Sequence, residues 1–153
     1  MNPLSQMVLD PSATCHTPAP SGYGDAAQDA LARPRRSILL IDETTMTREC
    51  LEHMLRTRAQ DIAVEYVAQV GEASMPRSDL VLLNINSARV DDDAVLDRVA
   101  EVRQRLGTPP IVIVTHLDDD RLAMEAIRQD IRGYVPTSLG PDIAVAAIRL
   151  VLA

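Results

Sequence analysis

Two adjacent acids, Asp42 and Glu43, close an apolar run at residues 37–41. Asn84 closes a second run at 80–83, Thr115 closes a third at 111–114, and a turn at Pro136 and Thr137 follows the short pair Tyr134 and Val135. Positions 42, 84, 115 and 137 are separated by 42, 31 and 22 residues. Acids and hydroxyls gathered at strand ends suit a small pocket for phosphate and Mg2+, because Mg2+ takes oxygen ligands from one or two carboxylates and water. An Asp-Glu pair after a strand is weak evidence alone; the ordered set of strand-end residues is more specific.

The elements that must hold these residues alternate. The apolar runs at 37–41, 80–83 and 111–114 read as strands buried on both faces, and the stretch 62–70 is β-rich. Met46, Cys50, Leu51, Met54 and Leu55 recur at helical spacing, as do apolar residues in 91–106 and 119–129. Gly140-Pro141 opens a last helix, with Pro at its first position. The crossover at 71–78 is short and rich in Gly, Ser and Pro, and predicts at most one turn of helix. This βαβ pattern predicts an α/β fold, a parallel sheet with helices on both faces. In such a sheet a ligand sits beyond the carboxyl ends of the strands, where these polar residues lie.

Composition narrows the function. The 153 residues carry a formal net charge of −7, which disfavours direct nucleic-acid binding and a polybasic membrane anchor. All 15 basic residues are Arg; there is no Lys, Phe or Trp. No apolar run reaches transmembrane length and the N-terminus lacks the apolar stretch of a signal peptide, so a cytoplasmic protein is expected. Residues 1–34 hold five of the ten prolines and read as a disordered leader, with the folded domain at 35–153. Cys15 and Cys50 fit no disulfide or metal spacing and are expected as free thiols. Asp91-Asp92-Asp93 and Asp118-Asp119-Asp120 read as helix-start carboxylates rather than metal clusters. His53 reads as a solvated helix residue, and His116 as an exposed loop residue or a lid paired with the acids. No catalytic triad and no Gly-rich phosphate loop is visible, so no enzyme is expected.

The segments ILLIDETTMTRECLEHML, SDLVLLNIN, PPIVIVTHLDDD and IRGYVPTSLGPDIAVAAIRLVLA together resemble the receiver domain of bacterial two-component response regulators. The form is the one that precedes a helix-turn-helix in NarL/LuxR-type transcription factors, the likeness spans about residues 36–153, and it implies a flavodoxin-like five-stranded parallel sheet of order 2-1-3-4-5 with helices on both faces. The resemblance implies an acid pair for Mg2+, matched at Asp42 and Glu43. It implies a hydroxyl contacting the phosphoryl oxygens, matched at Thr115, and a reporting aromatic, matched at Tyr134. The phosphoacceptor position is Asn84 instead of Asp, and the lysine position is Thr137. The expected protein is therefore a pseudo-receiver that works without aspartyl phosphorylation, with no cofactor beyond weakly held Mg2+ at Asp42 and Glu43. Two alternatives stay open. One is a receiver phosphorylated on another residue such as Asp42 within a phosphorelay; the other is a structural oligomerisation domain.

The last helix is apolar nearly all round, with Arg149 as its only charge after Asp142. A helix covering one side of a sheet should carry a polar stripe. Ala144, Ala147, Ile148 and Val151 are therefore expected on a surface for a homodimer or a protein partner.

Overall fold

The computed structural model describes residues 35–74 and 77–153. The leader assigned to 1–34 lies outside the described residues. The chain runs β1 (Ser37–Ile41), α1 (Thr45–Arg58), β2 (Ala63–Val67), a 3-10 turn (Val70–Glu72), β3 (Leu80–Asn86) and α2 (Asp93–Leu106). It continues through β4 (Ile111–Thr115), α3 (Asp120–Arg128), β5 (Gly133–Pro136), a second 3-10 turn (Thr137–Leu139) and α4 (Pro141–Leu152). The five strands form one sheet in the order β2-β1-β3-β4-β5, and every neighbouring pair is parallel. Among the described residues no helix is long and apolar enough to cross a membrane.

The strands are apolar on both sides because both sides are covered. Side chains alternate across the pleat. Leu39, Ile41, Val81, Leu83, Ile111 and Ile113 pack with Val95, Val99 and Val102 of α2 and Leu122 and Ala126 of α3. Ile38, Leu40, Leu80, Leu82, Val112 and Val114 pack on the other side with Leu55 of α1 and Val145 and Ile148 of α4. Among the described residues of the thin crossover, one 3-10 turn, Val70–Glu72, follows β2.

Two local expectations are refined. Asp119 caps α3, its Oδ1 accepting from Arg121 N at 2.8 Å. Asp92 precedes α2 without a side-chain cap bond; its Oδ2 accepts from Arg89 N at 2.9 Å and braces the approach to the helix instead. On α4 the expected partner surface needs correction. Ile148 is 2% exposed and belongs to the core, while Ala144, Ala147 and Val151 are half-buried against it. The outward stripe is Ile143, Ala146 and Leu150, with Leu150 78% exposed. The reason is helical geometry: at 100° per residue, 144, 145, 148, 151 and 152 fall on one broad face, and 143, 146 and 150 fall opposite.

Candidate functional site

Asp42 follows the last residue of β1, and its N–H donates to Val67 O at 3.0 Å, extending the β1–β2 ladder. The side chain is fully buried. Oδ1 accepts from Thr44 N at 2.9 Å, in the local Asp turn that starts α1. Oδ2 accepts from Thr47 Oγ1 at 2.5 Å and from Asn84 Nδ2 at 2.8 Å. The Arg48 guanidinium donates to the Asp42 carbonyl at 3.1 Å. The buried acid is thus met by three donors on its own two oxygens, which offsets the loss of water around a buried polar group.

Asn84, 2% exposed, is held with its amide nitrogen toward that acid. Its Oδ1 accepts from Asn86 N at 3.0 Å, and Nδ2 makes longer contacts with Asn86 Oδ1 at 3.3 Å and Thr47 Oγ1 at 3.4 Å. The β3–β4 register shifts between Asn84 and Asn86, and Asn86 has a φ of 52°. Asn tolerates this left-handed conformation better than most side chains.

The bulge aims the Asn86 carbonyl at β4. It accepts from Thr115 Oγ1 at 2.9 Å and from His116 N at 2.7 Å. Thr115 is fully buried, and its hydroxyl also accepts from Leu117 N at 3.1 Å. The Leu117 carbonyl in turn accepts from Tyr134 Oη at 2.9 Å. Burial raises the Tyr134 phenol above its ordinary pKa, partly countered by a hydrogen bond with Thr115. One hydrogen-bonded path therefore runs from Asp42 through Asn84, Asn86, Thr115 and Leu117 to Tyr134 on β5.

Glu43 and Thr137 are not joined to this path. Glu43 is exposed, and its Oε1 lies 3.9 Å from Arg98 Nε of α2. Thr137 is exposed in the turn after β5 and borders a cleft between α1 and α4. His116 and His53 are both exposed. Among the described residues no group of three His, Cys, Asp or Glu side chains could hold a metal ion. The donor set does not suit Mg2+: one acid has both oxygens occupied by donors and the other turns toward a guanidinium. Sequence reasoning missed Thr44, Thr47 and Asn86. The signals were available as paired hydroxyls in the first turn after Asp42 and as the Asn-x-Asn end of β3.

No protein-family model and no curated protein sequence matches the chain. Solved structures do. A response regulator from Thermotoga maritima superposes with a TM-score of 0.62 at 13% identity, covering 78% of this chain and 98% of that one. The pilus assembly protein CpaE from Caulobacter crescentus gives 0.62 at 20% identity, covering 75% and 92%. A LuxR family DNA-binding response regulator from Silicibacter pomeroyi gives 0.60 at 18% identity, covering 76% and 91%. The fold is that of a receiver domain. Asp42, Asn84 and Thr115 are buried at the ends of β1, β3 and β4 in this 2-1-3-4-5 sheet.

Proposed function

We propose that the chain is a degenerate receiver, a signalling and interaction module whose state is set without phosphorylation of an aspartate. The observation that carries this reading is the buried hydrogen bond from Asn84 Nδ2 to Asp42 Oδ2. In the receivers this chain resembles, position 84 would be the phosphoacceptor. Attack on phosphorus needs an anionic oxygen nucleophile. The Asn84 nitrogen is delocalised into its carbonyl and spends an N–H on the acid, while its oxygen is held by the Asn86 amide. The lysine that would neutralise developing phosphoryl charge is replaced at Thr137, and no other lysine exists in the chain. Losing the anion at 84 and the cation at 137 together removes both members of one charge pair, and the acid that stays, Asp42, is met by neutral donors. Thr115, the expected phosphoryl-binding hydroxyl, is engaged by Asn86 and Leu117, which supports one fixed state.

Phosphorylation of Asp42 itself is disfavoured, because that side chain is fully buried and hydrogen-bonded on both oxygens. Output then depends on what the domain binds. Ile143 and Leu150 of α4 and Met124 and Ile127 of α3 are exposed on the two helices that contact β5, and they support a homodimer or protein-partner surface. The DNA-binding regulator among the neighbours supports a transcriptional output, and the charge of −7 supports contact with nucleic acid being made by something other than this chain. The test is intact-mass measurement after incubation of the full chain with acetyl phosphate and Mg2+. No labile gain of one phosphoryl group is expected, and such a gain would overturn the reading.

A further inference from the structure

The sheet face covered by α1 and α4 is incompletely filled. A cleft of about 240 Å3 opens between the two helices, its floor formed by Leu82, Val112, Val114 and Val135. Cys50, Leu51 and Met54 of α1 line one side, and Gly140, Ala144 and Ile148 at and beyond the start of α4 line the other. Its lining carries no charged group, and its polar side chains are the Cys50 thiol and the Thr137 hydroxyl. Two ion pairs, Arg58 with Asp142 and Arg149 with Asp61, tie α4 to α1 and to the loop after it.

The geometry points to a binding site for a neutral apolar small molecule in this cleft, a compact ring compound with at most one polar group placed near Thr137. Size and chemistry select that class. An apolar cavity of about 150 Å3 already admits benzene, and water is a poor occupant where few polar partners line the space. A charged ligand would be desolvated there with no countercharge. A long flexible chain would lose more conformational freedom than a rigid ring on entering so short a cleft. The site is separate from the Asp42–Asn84 pair, so the inference does not depend on how that pair is read. It shares strands with it: Val112 and Val114 line the cleft on β4, the strand that ends at Thr115.

The experiment is a titration of the full chain, methyl-labelled at Ile, Leu and Val, with indole as the probe, followed by NMR. Saturable shifts confined to Leu51, Leu82, Val112, Val114, Val135 and Ile148 are expected. Ala144→Leu fills the cleft and should weaken indole binding at least tenfold. If that variant does not fold, Cys50→Leu narrows the mouth from the α1 side and should weaken it in the same sense. Octanoate, a charged chain, should shift these methyls far less than indole at equal concentration. Non-saturating shifts, shifts spread over exposed Ile143 and Leu150, or unchanged affinity in a folded filled variant would overturn the proposal.

Discussion

Asp42 is a fully buried acid in a chain without lysine, and it is satisfied by neutral donors. Thr44 N, Thr47 Oγ1 and Asn84 Nδ2 do what a cation would do, with less charge and fixed direction. Replacing Asn84 by Asp would put a second carboxylate oxygen where the amide nitrogen stands, 2.8 Å from Asp42 Oδ2. Like charges at that range resist joint ionisation. Asn84→Asp should therefore lower stability by about 2–4 kcal/mol at pH 7, measured by urea unfolding. The new carboxyl would have a raised pKa in the folded state, so the loss should shrink as pH falls toward 5. A variant as stable as the parent at pH 7 would show that the pair is not coupled. The types at 42, 84 and 115 were legible in the sequence because each ends an apolar run. The turning of Glu43 toward Arg98 was not, because it depends on where α2 lies. Nor was the Asn86 carbonyl's role, which follows from a bulge and a left-handed backbone.

At the level of elements, the central strands are pinned at their starts as well as their ends. Asp79, just before β3, accepts from Ser37 N at 2.7 Å and from Ser37 Oγ at 3.0 Å, joining β3 to the first residue of β1. The Ser37 amide hydrogen bond holds the Asp79 carboxyl below its usual range, with Arg36 contributing charge nearby. A depressed folded-state pKa means stability that is present above the unfolded value of about 3.9 and lost as pH falls through the folded one. Asp79→Asn should remove that part of the acid-limb dependence and lower the melting temperature at pH 7, read from thermal unfolding between pH 2.5 and 7. An unchanged pH profile would show that the clamp does not contribute. The strands were legible because 37–41, 80–83 and 111–114 are continuous apolar runs, which a sheet covered on both sides accommodates, while their order came with the receiver resemblance. The outward face of α4 was harder to read. Nearly every position is apolar, so composition gives no contrast, and only packing against Leu82 and Val112 decides that Ile148 points inward.

For the molecule as a whole, the exposed apolar residues on the two helices that contact β5 are the natural place for association. Leu150 is 78% exposed and outside the core, so Leu150→Glu should leave the fold intact. In solution, light scattering should give the mass of two copies for the parent chain and one copy for the variant. A parent chain that stays monomeric at high concentration would exclude the homodimer. The sheet order has a further consequence, for how the chain folds. All its strand pairs are parallel, so none is closed by a hairpin, and β1 meets β3 only after the chain has passed through β2. Loop-closure entropy must be met before such non-local pairings reward it, which slows folding relative to helical bundles. Asp42 and Asn84 stand on opposite sides of that closure. Until β3 arrives, the acid has its local donors Thr44 N and Thr47 Oγ1 but lacks the Asn84 amide. Its burial is therefore a late event, and the site is assembled by the same step that completes the middle of the sheet.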